Sequence, residues 1–310
     1  MPLPAPFEGR LSLPLIGSPM FIVSQPALVI AQCRAGIVGA FPSLNARPSG
    51  MFEQWLKLLQ RELSDKDAPF AVNLIVHKTN PRLDEDLALC VRYRVPIVIT
   101  SLGARPEVNE AVRGYGGVVL HDVINNRFAR KAIEKGADGL IAVAAGAGGH
   151  AGTHSPFALV EEIRAWFDGP LALSGTIATG RAIAAARMMG ADFAYMGSPF
   201  IATEEANAAP GYKQMIVDSG ADDIVYSDFF TGVLGNYLRP SIAAAGLDPD
   251  GLPKAAEMDF ASIEGSGAKA WRDVWGAGQG IGAIHDIQPA AAFIAQLKAQ
   301  YQAAITAFRS

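Results

Sequence analysis

A chain of 310 residues, half of them hydrophobic, can bury a large core and is long enough for one α/β barrel with an appendage. Its net charge of −4, with Lys and Arg dispersed, excludes a nucleic-acid surface built on a basic block. No apolar run can span a bilayer, no charged and then apolar leader opens the chain, and two cysteines make no disulfide framework, so a cytoplasmic setting is expected.

In chain order, short apolar runs at 13–17, 36–40, 70–74, 95–100, 117–121, 139–144, 171–174 and 193–197 read as strands. Most are continuous rather than alternating, as strands buried on both faces of a parallel sheet must be. Helical patterns lie between them. Ser24 is expected to cap a helix that includes Pro26 and stops at Gly36, and Phe52, Trp55, Leu56, Leu59 and Leu63 share one helical face. Cys33 and Cys90 sit in apolar surroundings and read as small buried hydrophobes. Ser155-Pro156 opens another helix. Gly136-Ala-Asp138 and Gly190-Ala-Asp192 echo one another, each Gly ending a helix just before a strand.

Eight such units predict a (β/α)8 TIM barrel over residues 1–205, with a doubly wound open sheet as the alternative. The rhythm is lost over 206–280, which reads as a mostly helical insert or small second domain. There Tyr226, Phe229, Phe230 and Tyr237 are candidates either to line a pocket or to form the insert's own core. Pro289 then opens a last helix, within 281–310, whose face of Phe293, Leu297, Tyr301, Ile305 and Phe308 is expected to pack back on the barrel.

Barrel chemistry gathers at the C-terminal ends of strands. Here those ends carry Ser18-Pro19-Met20-Phe21, Asn73, and the run Gly146-Ala-Gly148-Gly149-His150-Ala-Gly152. Bare glycine backbone lets a flat ring or an anion come close, and an imidazole beside it can move a proton near neutral pH. The last two strands end in Ser174-Gly175-Thr176 and Gly197-Ser198, small hydroxyl-bearing loops where barrels often hold a phosphate. Gly146-x-Gly148-x-x-Ala151 also satisfies a relaxed dinucleotide fingerprint, but the helix starts several residues too late for the pyrophosphate to meet its N-terminus. His121 ends another strand. His150-x-x-x-His154 lacks a third ligand, so no metal is expected.

At these residues the chain resembles the nitronate monooxygenase family, formerly 2-nitropropane dioxygenases. The likeness runs through Pro19-Met20, Val72-Asn73, Ala147-Gly-Gly-His150, Ser174-Gly175-Thr176, the Gly190–Ser198 segment and Trp275-Gly-Ala-Gly-Gln-Gly280. It implies an FMN cofactor. Pro19, Met20 and Phe21 would lie along the flavin, Asn73 would hydrogen-bond it, and Gly148 and Gly149 would pass close to the ring. Ser174, Gly175, Thr176, Gly197 and Ser198 would hold the phosphate, and His150 would be the catalytic base or orienting acid. Some relatives place Lys where this chain has His121-Asp122, and Glu where it has Gly146.

The resemblance implies an oxidoreductase that oxidises alkyl nitronates with O2 to a carbonyl compound and nitrite. It also admits an NAD(P)H-dependent reductase of quinones or enoyl thioesters. A non-catalytic barrel that binds a phosphorylated ligand or a partner protein is a third reading. For the enzyme readings the partner is a small molecule, none of the three calls for a nucleic acid or a membrane, and an oligomer is left open.

Overall fold

Parallel strands alternate with helices until the sheet closes on itself. The strands are β1 (Leu15–Gly17), β2 (Gly39–Pro42), β3 (Phe70–Ile75), β4 (Ile97–Ser101), β5 (Val118–Val123), β6 (Gly139–Val143), β7 (Gly149–His150), β8 (Leu171–Ser174) and β9 (Phe193–Met196). All but β7 form one eight-stranded sheet in the order β1-β9-β8-β6-β5-β4-β3-β2. The ring is completed between β1 and β2 by the Ile16–Val38 bridge, with the Gly17 N–H donating to the Val38 carbonyl at 2.7 Å. This is the expected (β/α)8 barrel, and the closing bridge rules out the open doubly wound sheet. The computed structural model describes residues 4–48, 50–254 and 272–309.

Strand parity explains the continuous apolar runs. Ile97 and Ile99 face the barrel interior with Leu120, Ile141 and Ala172, while Val98, Val72 and Val119 face the helices. Phe7 plugs the interior, its ring 4.7 Å from Phe193. The surrounding helices are α1 (Pro26–Arg34), α2 (Met51–Glu62), α3 (Leu83–Arg92), α4 (Pro106–Gly114), α5 (Asn126–Glu134), α6 (Pro156–Arg164) and α7 (Gly180–Met188), and a short α8 (Ser198–Ile201) follows β9. Cys33 and Cys90 are fully buried, and burial pushes the Cys33 thiol up to about 12.

The repeated Gly-Ala-Asp segments are one structural device used twice. Gly136 (φ +93°) and Gly190 (φ +105°) turn the chain out of a helix. The Asp138 carboxylate then accepts the Val119 N–H at 2.8 Å, and the Asp192 carboxylate accepts the Leu171 N–H at 2.9 Å. Arg113 and Arg164 pair with them at 3.2 and 2.7 Å. Each Asp thereby ties its own strand to the start of the preceding one.

After α8 come α9 (Pro210–Asp218), β10 (Ile224–Ser227), β11 (Gly235–Leu238), α10 (Arg239–Ala244) and α11 (Ala290–Arg309). The stretch expected to be mostly helical therefore also contains an antiparallel hairpin. Its β11 pairs with β7, Gly235 opposite His150 and Asn236 opposite Gly149. These strands are short and carry little apolar alternation, so their pairing depends on tertiary partners that sequence patterning does not report. Residues 255–271 of that stretch lie outside the described residues. The rings of Phe230 and Tyr237 meet at a tilt, 4.7 Å apart, and pack with Ile242 and Val274, so they belong to a small core of this region.

The C-terminal helix packs back on the barrel through Ile294 and Leu297, and Phe293 meets Phe200 edge-on at 5.5 Å. Its apolar face fades outward, leaving Phe308 71% exposed. The contact with α7 is close: a Cβ on Gly180 would strike the Leu297 carbonyl oxygen and the Tyr301 nitrogen. Gly180→Ala should therefore force the two helices apart and cost about 1–3 kcal/mol, read as a lowered urea midpoint at unchanged slope. An unchanged midpoint would show that the helices separate freely.

Candidate active site

One cavity of about 1900 Å³ opens at the C-terminal ends of the strands. Its wall includes Pro19, Met20, Phe21, Asn73, Gly148, Gly149, His150, Ser174, Gly175, Thr176, Gly197 and Ser198. Residues singled out from distant parts of the sequence thus share one space. Tyr226 also lines it, whereas Phe229, Phe230 and Tyr237 do not.

The loop after β1 is held in place by side chains. Ser24 does not cap α1, whose N-cap is Gln25. The Ser24 hydroxyl instead accepts the Met20 N–H at 2.9 Å. Asn45, which sequence reasoning missed, accepts the Ile22 N–H at 2.8 Å and donates to the Met20 and Ser24 carbonyls at 3.0 and 2.8 Å. Three hydrogen bonds from one amide explain how Ile22 is kept at φ +66°. A lone Asn after a strand carries no sequence signal for this role.

The glycine run packs backbone to backbone against the Trp275–Gly280 motif. The Gln279 N–H donates to the Gly146 carbonyl at 2.9 Å, and a Cβ on Gly278 would lie 2.7 Å from that oxygen. A Cβ on Gly148 would meet the Gly278 nitrogen at 2.8 Å and the Ser198 hydroxyl at 3.0 Å, while one on Gly146 would strike the Thr176 hydroxyl. Glycine here allows the loops after β6, β8 and β9 to converge. Trp275 stacks on Tyr212 at 4.9 Å and 12°, anchoring the motif. The dinucleotide-like spacing is accidental, because its glycines contact this motif and α6 begins only at Pro156.

The same convergence tests whether a flavin phosphate suits the site. Ser174, Thr176 and Ser198 bring hydroxyls to the cavity wall, and these loops carry no carboxylate. The Ser198 oxygen accepts the Gly278 N–H at 2.8 Å. At α7, Thr179 already caps the Ala182 N–H and Gln300 takes the Gly180 N–H. An anion would therefore be met by the two hydroxyl loops and not by α7. The donor set and the open volume fit a phosphate-bearing ring cofactor.

His150 lies in β7, under the hairpin, with Nε2 2.9 Å from the Thr231 hydroxyl. Thr231 also donates to the Val233 carbonyl at 3.1 Å, which leaves its oxygen to accept from the imidazole. Burial lowers His150 to about 4, so the ring is neutral at ordinary pH. Asn236 donates to the Ala147 carbonyl at 2.7 Å and Tyr226 to the Ala151 carbonyl at 2.7 Å, fastening hairpin to glycine run.

His121 and Asp122 face opposite ways. By the parity of β5, Val119, His121 and Val123 point to the helices, whereas Leu120 and Asp122 point inward. His121 Nδ1 lies 2.6 Å from the Thr100 hydroxyl, and burial lowers its value to about 4. Asp122 accepts from the Ser101 hydroxyl at 2.6 Å, and Ser101 in turn accepts from Asn73 at 2.7 Å. Burial raises Asp122 to about 6, with the Ser101 bond opposing the shift.

Unfolded His121 takes up a proton below about 6.5, while the folded residue does so only near 4, so stability falls as pH drops through that window. The linked contribution is on the order of 3 kcal/mol. His121→Gln should flatten the stability profile between those limits, measured by urea unfolding at each pH. A profile as steep as wild type would contradict this.

Among the described residues no cluster of His, Cys, Asp and Glu could hold a metal, and no helix is long and apolar enough to cross a membrane. The nitronate monooxygenase family model matches residues 82–300. A nitronate monooxygenase from Paraburkholderia phytofirmans is 25% identical over 96% of this chain and 94% of that protein. An octahydro-indene-carboxyl-CoA dehydrogenase from Rhodococcus jostii is 27% identical over 69% of this chain and 59% of that protein. Among solved structures, a nitroalkane oxidase from Streptomyces ansochromogenes superposes with a TM-score of 0.82 at 25% identity, over 98% of this chain and 100% of that one. A single-substitution variant of FabK from Thermotoga maritima gives 0.80 at 26% identity, over 96% and 95%.

Proposed function

Since the chain belongs to the nitronate monooxygenase family and is an oxidoreductase, we propose that it uses FMN to oxidise alkyl nitronates with O2 to a carbonyl compound and nitrite. The observation that carries this reading is the meeting, on one cavity wall, of His150, the Pro19–Phe21 loop and the hydroxyl loops after β8 and β9. When bound, FMN supplies the electron acceptor that oxidises the substrate and hands electrons to O2.

The chain's own residues do the rest. Ser174, Gly175, Thr176, Gly197 and Ser198 would hold the phosphate, and Pro19, Met20, Phe21, Gly148 and Gly149 would border the ring, with Asn73 as a hydrogen-bonding partner. His150 enters catalysis as a neutral imidazole, which favours the base over the imidazolium. With its Nε2–H committed to Thr231, Nδ1 would remove the α-proton when a neutral nitroalkane enters, and the Nδ1–H so formed would donate a hydrogen bond to the nitronate. Thr231 fixes the ring's orientation.

A reductase of thioesters or quinones is supported by a different observation. The cavity, about 1900 Å³, is nearly twice the upper end of the ~300–1,000 Å³ range of ordinary ligand pockets, which leaves room for a second large ligand. One relative is itself named a carboxyl-CoA dehydrogenase. An absorption spectrum and an anaerobic titration separate the readings. Bleaching of the flavin by a nitronate and indifference to NADH and NADPH support the monooxygenase. Rapid bleaching by either nucleotide overturns it in favour of the reductase, and a colourless protein defeats both.

A further inference from the structure

The inward face of the barrel's last layer is polar on one side. Asn73, Ser101 and Asp122 stand at the ends of the adjacent strands β3, β4 and β5, joined by hydrogen bonds of 2.7 and 2.6 Å, and all three line the cavity. The chain of donors ends on a carboxylate, which has no donor of its own unless it is protonated. Resting on the flavoenzyme reading above, we propose that Asp122 sets the charge of the cavity floor, so that this site accepts an anionic ligand best while that carboxyl carries a proton.

Among the described residues no cation offsets the charge, Asp122 forms no ion pair, and only the Ser101 hydroxyl works against the effect of burial. From β3 and β4 it faces Asn73 and Ser101, from β6 Val143, and from β9 the Tyr195 phenol, whose ionisation the Asp122 charge makes harder still. His121 is its neighbour in β5 but turns outward to Thr100. Arg47, Arg82, Lys131, His77, His150 and His154 border the cavity, as do the carboxylates of Glu85, Asp86 and Asp228, and none of them adds to or offsets the effect of burial on Asp122. Above about pH 6 the floor becomes negative. An ionised carboxylate there disfavours any anion entering the same low-dielectric space, including a nitronate or an electron-rich reduced ring.

The test uses flavin-loaded protein and sodium sulfite, an anion whose binding to a flavin is read from the loss of its absorbance. Sulfite dissociation constants are measured from pH 5 to 8 for wild type and Asp122→Asn. The ratio of wild type to variant should be near one at pH 5 and rise to about tenfold by pH 8, equivalent to ~1.4 kcal/mol. A ratio that does not change with pH overturns the proposal. Ser101→Ala, which removes the hydrogen bond favouring the ionised form, should shift the wild-type step to higher pH. It decides the question if Asp122→Asn does not fold, and an unmoved step is then the contrary result. A preparation without flavin is seen before sulfite is added and counts against the flavoenzyme reading itself.

Discussion

Replacing His150 by Gln should lower kcat/KM for a nitroalkane by about 10²–10⁴-fold while FMN remains bound. Gln can still hydrogen-bond the Thr231 hydroxyl, which lies 2.9 Å from the imidazole, so β7 and the hairpin should keep their pairing. What is lost is the capacity to take a proton. Because burial holds His150 near 4, the neutral form persists down to acid pH. Wild-type kcat/KM should accordingly show no loss attributable to this imidazole until pH falls toward 4, where protonation removes the base. Steady-state kinetics with flavin content measured in parallel would check both statements. Turnover of the Gln variant at the wild-type rate would remove His150 from the mechanism. A variant that has lost its flavin would instead show that the residue holds the cofactor's surroundings together.

The second large effect is expected at the loop after β8. Gly175 has φ +134°, a conformation that side-chain-bearing residues rarely adopt, and a Cβ there would lie 2.8 Å from the Ala145 carbonyl oxygen. Thr176, next to it, is already at φ +59°. Gly175→Ala must relax this turn, and the strain of about 1–3 kcal/mol falls on the loop proposed to hold the phosphate. Retention of FMN should weaken roughly tenfold to hundredfold, measured by fluorescence of flavin released on dilution. The barrel itself should remain folded, because the apolar interior beneath β8 is untouched. Undiminished retention would place the phosphate elsewhere, most directly testing the two-loop site.

Much of this fold can be read from local pattern. All eight predicted barrel strands are present, with boundaries shifted by at most a few residues, because strands buried on both faces need unbroken apolar runs. The glycine-histidine run and the two hydroxyl loops were also legible, since glycine-rich strand ends stand out against apolar surroundings. Asn45 and Thr231 were not, as each is an ordinary polar residue whose role lies in where its partner arrives.

By itself, then, the amino-acid order determined the repeating strand and helix units, the barrel class and the chemical kind of residue at each strand end. These follow from interactions within a few residues: hydrophobic periodicity, helix capping and glycine's backbone freedom. The closed tertiary structure decided which side chains meet. It joined His150 to Thr231 across 81 positions and Ala147 to Asn236 across 89. It also turned Asp122 rather than His121 into the barrel, since strand register and closure fix the inward face, and neither is a local property of the chain.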